Sequence, residues 1–503
     1  MIRRLLIANR GEIALRIIRA CRELAIETVA VYSDADARSP HVSAADQACR
    51  LGPAAPKDSY LDAGRVIDAA LASNADAVHP GYGFLSERPH FARACEQAGL
   101  VFVGPPADAL ERMGSKTGAR RLMIDAGVPV VPGEAPADQT DATLAAAIDR
   151  VGYPAMIKPA AGGGGIGMKV VRTQVDIAPS LAAARREAAA AFGDPSLYVE
   201  RLIERPRHVE IQIFADAHGH VVHLFERECS AQRRHQKTIE ESPCSALTPA
   251  LRARMGTAAI AAARAVNYRN AGTVEFLLEG AGDTATFYFL EMNTRLQVEH
   301  PVTECVTGID LVRTQLTVAA GGALPFDQGS LTQRGHAIEC RVYAEDPAQG
   351  FIPQAGPLLL YREPAGPGIR VDSGVCEGGE VSVHYDPMLA KLIVWAETRD
   401  LARHRAIAAL RQYAVLGIRT NISFLLKVLQ HPDFASGSID TGFLDREGAA
   451  LAQANIMPLP PEALVALAEY VDRHGYAGAA GAPGSVRTEA APDPFLTLRN
   501  WRG

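Results

Sequence analysis

Between residues 291 and 300 the chain gathers Glu291, Asn293, Gln297 and Glu299, all carboxylates or amides, around the guanidinium of Arg295. The run just before it, 285–290, carries Phe287, Tyr288, Phe289 and Leu290 and has the composition of a buried strand. The polar cluster is therefore expected to leave a sheet and face a cleft. Packing alone does not explain charge at that density; a metal ion, a phosphate or a small anion does.

Glu275 interrupts an otherwise apolar strand pattern at 273–277, and Glu291 ends the next long strand. If the two strands form an antiparallel hairpin across the turn at 280–283, these carboxylates converge. With Asn293 they offer hard oxygen ligands for Mg2+ or Mn2+, cations that bridge nucleotide phosphates. The plainer alternative is that both glutamates pair with lysines.

Phosphate chemistry has its own signature upstream. Gly162, Gly163, Gly164, Gly165, Ile166, Gly167 and Met168 lie between the apolar run 155–157, which ends in Lys158, and a second run at 169–171. This reads as a glycine hairpin rather than a strand-to-helix turn, and it lacks the Lys-Ser/Thr ending of a P-loop. Backbone free of side chains still closes over phosphates as an anion nest, with Lys158 adding a point charge; a merely flexible loop is the alternative. Glu200, Arg201, Leu202 and Ile203 then join this unit to the next, where exposed backbone groups are placed to read an adenine edge. His208 follows, and the basic run 228–237 brings Gln232, His235 and Lys237. Such a run is often only a solvated face, but here it lies between apolar strands and suits an anion-binding strip.

The elements that position these groups follow from periodicity. Strands at 5–8, 28–32, 75–78 and 100–103, separated by helical spacing, make the first ~110 residues an open parallel sheet with helices on both faces. The Gly-x-Gly-x-x-Gly fingerprint is missing from its first turn. The loop 79–87, containing Tyr82 and Gly83, sits at the carboxyl end of a strand, where open sheets bind ligands, although Gly81 and Gly83 would also serve a plain turn that needs positive φ. A helix at 116–126 is broken by Gly127 and Pro129, and a small lid-like α+β unit follows. Long β-rich runs from 203 to 290 predict a large antiparallel sheet carrying the charged cleft. Runs at 336–343, 358–361 and 388–395 extend the β material, 403–416 reads as an amphipathic helix, and the Ala, Gly and Pro of 475–494 read as a flexible linker.

Composition limits the possible functions. At 503 residues, with 48% hydrophobic and 21% charged, the chain has the balance of an ordinary globular protein of three or four domains. A net charge of −6 argues against a nucleic-acid surface. Eight cysteines lack the short spacing of a zinc or dithiol site, which points to a reducing cytoplasm. The apolar run at the start is too brief for a signal peptide or a membrane span.

Taken together, the segments 7–14, 79–87, 162–168, 233–237, 291–304 and 336–341 resemble biotin carboxylase, an ATP-grasp enzyme, in collinear order over about residues 1–445. The resemblance implies a multidomain α/β and α+β fold: a Rossmann-like N-terminal domain at 1–114, an ATP-grasp domain at 115–331 with a mobile lid at about 131–203, a β-rich C-terminal domain at 332–446, and a helical segment with linker at 447–503. It implies ATP- and Mg2+-dependent carboxylation of biotin by bicarbonate through carboxyphosphate. Lys116, Lys158, the glycine loop, Glu200 to Ile203, His208, Gln232, His235 and Leu277 then correspond to ATP contacts, and Glu275, Glu291 and Asn293 to the metal group. Lys237, Arg295, Gln297, Val298 and Glu299 match the bicarbonate pocket, with Glu299 as general base. Arg341 faces biotin, with Tyr82 and Gly83 nearby.

The motif from Tyr385 to Ile393 looks most like the α chains of acyl-CoA carboxylases, such as those acting on methylcrotonyl-CoA or propionyl-CoA. Met168-Lys169 is the chain's one Met-Lys pair and belongs to the glycine-loop strand, so biotin is expected on a carrier domain outside these residues, with a carboxyltransferase as a further partner and a homodimer as one possible assembly. Residues 493–503 resemble the entry to a docking domain, which leaves open a truncated α chain or a separate subunit. Ile166 stands where many relatives have a basic residue, removing one side-chain contact to phosphate but not the backbone nest. Two other functions share part of this pattern: a different ATP-grasp carboxylate–amine ligase, which would not need Arg341 or a bicarbonate pocket, and a catalytically silent nucleotide-binding subunit, in which Glu299, Arg295 or a metal carboxylate should be missing.

Overall fold

The computed structural model describes residues 2–160, 166–234 and 236–453, together with residues 465 and 469. Gly162, Gly163, Gly164, Gly165, His235 and the linker at 475–494 lie outside the described residues. All elements below belong to the unit 1–453.

The N-terminal sheet has five parallel strands in the spatial order Gln47–Gly52, Glu27–Ser33, Arg4–Ile7, Ala77–His79 and Val101–Phe102. Both of its faces are covered, which is why its central strands read as unbroken apolar runs. Leu5 and Ile7 pack with Ile13 and Ile17 of the helix Gly11–Glu23, whereas Leu6 and Ala8 pack with Val66 and Phe91 of the helices Ala63–Ala72 and Pro89–Gln97. Each such aliphatic side chain taken out of water contributes about 1.5–3 kcal/mol. The strand Gln47–Gly52 was not foreseen: it is an edge strand whose first four residues are exposed or half-exposed, so it has no apolar run to read.

At the carboxyl end of Ala77–His79 the chain turns into the loop 79–87. Asn9 Nδ2 donates to the carbonyls of Pro80 and Tyr82, both at 2.8 Å, tying this loop to the end of the first strand. Gly81 has φ +62°, and a Cβ there would lie 2.8 Å from Asn9 Nδ2. Gly81→Ala is therefore expected to cost about 1–3 kcal/mol; chemical denaturation of the variant beside the wild type would measure the loss.

A second, four-stranded antiparallel sheet is ordered Gly133–Glu134, Leu197–Arg201, Ala155–Pro159 and Lys169–Val171, where the small lid-like unit was expected. The helices Asp141–Val151 and Ile177–Phe192 bury Leu144, Ile148, Leu181 and Ala184 against it. The strands on either side of the glycine loop do pair as an antiparallel hairpin.

The largest sheet has eight strands, ordered Thr286–Asn293, Asn270–Glu279, Arg207–Ala215, Val221–Arg233, Gln236–Ser242, His336–Tyr343, Met388–Ala396 and Ile369–Ser373, each antiparallel to its neighbours. It is continuous from residue 207 to residue 396 because Gln236–Ser242 pairs directly with His336–Tyr343. On one face Val209, Ile211, Ile213, Val274 and Phe276 pack with Leu251, Met255 and Ala259 of the helix Pro249–Ala265. Alternation along each strand sends His208, Glu210, Gln212, Thr273 and Glu275 to the other face.

One helix boundary differs from expectation. The predicted helix at 403–416 is observed as Arg399–Gln412, with Thr398 capping its start, and Ala414–Leu416 is instead a strand paired with Leu360–Arg362. The apolar residues 414–416 fit either periodicity, and tertiary pairing decides between them.

Candidate active site

The hairpin inferred for the two glutamates is present, and its register sets Glu275 directly opposite Glu291. Glu291 is open to the cleft and has no hydrogen-bond or ion-pair partner among the described residues. Limited solvation in the cleft and the Glu275 carboxylate raise its pKa. Glu275 is the reverse case. Its Oε1 accepts from Lys237 Nζ (2.9 Å), Asn293 Nδ2 (2.8 Å) and Gln297 Nε2 (3.1 Å), and its Oε2 lies 2.9 Å from His208 Nε2. Burial opposes its ionisation, but Lys237 and His208 outweigh that and hold the carboxyl well below the usual range. The donor set fits a hard divalent cation: an unpaired carboxylate faces the cleft beside a second carboxylate and an amide. A cation there would compete with the contacts Glu275 now makes.

Lys237 is the electrostatic centre of the site. Its ammonium donates to Glu210 Oε2 (2.5 Å), Glu275 Oε1 (2.9 Å) and Glu299 Oε1 (2.6 Å), using all three N–H groups on carboxylates. Burial alone would lower its pKa, yet the surrounding anionic groups raise it well above the ordinary lysine value. Glu299, itself inaccessible, gives its other oxygen to Arg341 Nη2 at 3.0 Å. Burial disfavours its charge, but Lys237, Arg341 and Arg227 hold its pKa well below the carboxylate range.

Arg295 is fixed on three sides. It donates to Glu87 Oε2 (2.9 Å), Asn293 Oδ1 (2.8 Å) and Gln297 Oε1 (2.5 Å). Glu87 also accepts from the Thr294 amide at 2.9 Å, so the 79–87 loop of the N-terminal sheet orients the guanidinium. The Val298 carbonyl accepts from the fully buried Lys391 at 2.7 Å. Arg341 Nε donates to Glu240 Oε1 at 2.6 Å. Tyr82 hydrogen-bonds Glu12 through its hydroxyl, and Gly83 lies exposed beside it.

The nucleotide candidates among the described residues fall on or beside the four-stranded sheet, on the helix Lys116–Asp125 and on the large sheet. Lys158 Nζ donates to Glu200 Oε2 at 2.6 Å, while Arg120 holds the other oxygen at 3.2 Å. Lys116 begins the helix Lys116–Asp125, and burial lowers its pKa, with Lys158 adding to the effect. Gly167 takes φ +77°, and a Cβ there would lie 2.8 Å from Pro159, so the tight end of the loop requires glycine; Met168 is half-buried next to it. Only part of the 200–203 backbone is free. The amides of Arg201 and Leu202 are bound to the Pro132 and Pro154 carbonyls, whereas the Ile203 N–H has no partner among the described residues. Leu277 is half-buried, stands opposite His208 in register, and shares the cleft face with Glu275. Gln232 pairs in register with Lys237.

Glu210, Arg227, Glu87 and Glu240 were not assigned from the sequence. Arg227, fully buried, donates to Glu210 Oε1 at 2.5 Å and to Gln212 and Thr303, anchoring the carboxylate that receives Lys237. A signal for Glu210 was available: His208, Glu210 and Gln212 alternate with Val209, Ile211 and Ile213, the pattern of a strand with one polar face turned into a site.

Paired carboxylates on the large sheet, the cations Lys237, Arg295 and Arg341 beside them, and the antiparallel strands that flank the glycine loop are the parts of an ATP-grasp carboxylase site. Family models described as biotin carboxylase N-terminal domain, carbamoyl-phosphate synthase L chain ATP-binding domain and biotin carboxylase C-terminal domain match residues 1–110, 115–326 and 339–446. The chain belongs to the biotin carboxylase family. It is 52% identical over 444 residues to the mitochondrial methylcrotonoyl-CoA carboxylase subunit alpha of Glycine max, covering 88% of this chain and 60% of that protein. It is 51% identical over 446 residues to the biotin carboxylase of Halalkalibacterium halodurans, 88% and 97% of the two chains. The biotin carboxylase domain dimer of Hydrogenobacter thermophilus 2-oxoglutarate carboxylase, solved with MgADP, ADP and bicarbonate, superposes with a TM-score of 0.85 at 42% identity, over 90% of this chain and 100% of that one. The chain thus spans about three fifths of the alpha subunits it matches.

Proposed function

We propose that this chain is the biotin carboxylase component of an acyl-CoA carboxylase, joining bicarbonate to the N1 atom of biotin at the expense of ATP. The observation that carries this reading is the convergence of Lys237, Arg295, Glu299 and Arg341 beside the paired carboxylates Glu275 and Glu291.

Bicarbonate must approach an anionic triphosphate, so cationic groups have to offset the repulsion and align the nucleophile. Arg295, held by Glu87 and Gln297, presents a planar guanidinium suited to an oxyanion. Glu299 is the base. Bound as it is to Lys237 and Arg341, its carboxylate is weakly basic; an anion that draws those cations toward itself frees Glu299 to accept the bicarbonate proton. Phosphoryl transfer then gives carboxyphosphate and ADP. Arg341, beside Tyr82, stabilises the ureido oxygen of biotin as the carboxyl carbon's bond to phosphate breaks, the released phosphate takes the N1 proton, and N1 bonds to that carbon.

Glu275, Glu291 and Asn293 would hold Mg2+ or Mn2+, which neutralises phosphate charge when bound. Lys116, Lys158, Gly162, Gly163, Gly164, Gly165, Gly167, Met168, His208, Gln232, His235 and Leu277 are assigned to ATP, with the Ile203 amide in the 200–203 segment free for the adenine edge. Chelation of divalent cations is expected to abolish ADP formation, and Glu291→Gln to raise the Mg2+ concentration needed for half-maximal rate; an unchanged Mg2+ requirement in that variant would remove Glu291 from the metal group.

The spans of the matching family models lie close to the domain limits 1–114, 115–331 and 332–446, and the separate four-stranded sheet from Gly133 to Arg201 supports a lid at 131–203. A biotinyl carrier, a carboxyltransferase and a second copy of this chain are the proposed partners. Among the described residues no helix is long and apolar enough to cross a membrane. Eight free cysteines support a reducing compartment, the cytoplasm, although several matched relatives are named as mitochondrial.

A further inference from the structure

Beside Arg341 the sheet buries a second set of carboxyls that the chemistry above does not use. Glu339 precedes Arg341 by two residues on the strand His336–Tyr343, so both side chains point to the same face. Its register partners are Glu240 on one side and Ile393 on the other. Glu339 is completely inaccessible, and neither of its oxygens has a hydrogen-bond partner among the described residues. Glu240 gives Oε1 to Arg341, while its Oε2 also lacks a partner.

The charged groups around Glu339 leave it without a counter-ion of its own. Arg341 is engaged with Glu240 and Glu299. Lys391, from the next strand, is engaged with Glu12 at 3.1 Å and the Val298 carbonyl at 2.7 Å, and Asp372 and Arg370 act on it from the edge strand. Tyr82 and Cys305 approach Glu339 from the N-terminal loop and the helix His300–Thr307. An ionised carboxylate placed there would be desolvated, unpaired and beside two further carboxylates; a protonated one avoids all three penalties.

We propose that Glu339 is a neutral carboxylic acid in the working enzyme, a positioning residue that keeps Arg341 effectively cationic toward biotin by withholding a further negative charge from its surroundings. Burial, followed by repulsion from Glu240 and Glu299 against the pull of Lys391 and Arg341, raises its pKa well above the carboxylate range. Its functional half rests on the biotin carboxylase reading; its protonation rests on register, burial and pairing alone.

Infrared spectra of the full chain test the protonation. At neutral pH the wild type should show the carbonyl-stretch band of buried protonated carboxyls, and Glu339→Gln should lose one component of it. Absence of the band in the wild type, or an unaltered band in the variant, overturns the proposal. Linkage gives a second readout. A carboxyl whose folded pKa is raised contributes stability fully present below its unfolded pKa of about 4.3, and that stability is lost as pH rises toward the folded value. Glu339→Gln should therefore melt progressively higher than the wild type as pH is raised; a variant that melts lower at every pH would mark Glu339 as an ionised partner.

For function, biotin-stimulated ADP formation by the wild type should decline at alkaline pH as Glu339 ionises, while the glutamine variant keeps its rate there. A rate loss in the variant of about tenfold or more at every pH contradicts the positioning role. If neither protein responds to biotin while the infrared and melting results hold, the positioning role and the biotin carboxylase reading both fail and the protonation stands.

Discussion

Replacing Lys237 by glutamine is expected to abolish turnover and to destabilise the folded chain by about 3–5 kcal/mol. The reason is that one ammonium serves Glu210, Glu275 and Glu299 together. Glu210 and Glu299 are fully buried, Glu275 nearly so, and water cannot replace the lost cation cheaply. Arg227 still holds Glu210 and Arg341 still holds Glu299, so the cluster keeps part of its compensation and the chain should fold. The carboxyls left behind should take up protons, making the variant's stability fall as pH rises through their new values. Denaturant midpoints across a pH series would show this. Adding Glu299→Gln to the variant removes one of the uncompensated charges and should recover part of the stability but none of the activity; strictly additive losses would mean that the two groups do not interact.

Glu299→Gln alone separates chemistry from binding. The amide keeps the side chain's volume and one oxygen that accepts from Lys237 or Arg341, but its NH2 faces the other cation and it cannot take a proton from bicarbonate. Loss of a positioned general base costs about 10²–10⁴-fold in rate, so kcat should fall by that much while ATP affinity, which the proposed function assigns to other residues, stays nearly intact. Equilibrium binding of ATP alongside steady-state rates distinguishes the outcomes. Activity equal to wild type would reject Glu299 as the base, and a parallel loss of ATP binding would make it a structural member of the Lys237 cluster.

The sequence exposed the site wherever chemistry broke a local pattern. Glu275 interrupting an apolar strand and the cluster 291–299 both signalled a cleft, and the hairpin that sets Glu275 against Glu291 followed from the turn between them. The parallel N-terminal sheet was legible because strands buried on both faces read as continuous apolar runs. Long-range pairing was not legible. That Glu87 reaches across 208 positions to hold Arg295 depends on how two sheets meet, and nothing near either residue encodes it. Glu240 and Glu339 likewise read as ordinary members of their strands until the ladder between Gln236–Ser242 and His336–Tyr343 sets them face to face. The edge strand Gln47–Gly52 escaped notice for a different reason: one side is solvated, so its apolar signal is diluted.

The central claim is that Lys237, Arg295, Glu299 and Arg341 together activate bicarbonate for transfer to biotin. It is tested most directly by measuring ADP formation by the purified chain with ATP, Mg2+ and bicarbonate, in the presence and absence of free biotin or a biotinylated carrier. Turnover that depends on bicarbonate and rises when biotin or the carrier is added is the predicted result. A rate indifferent to both under every condition would contradict the account.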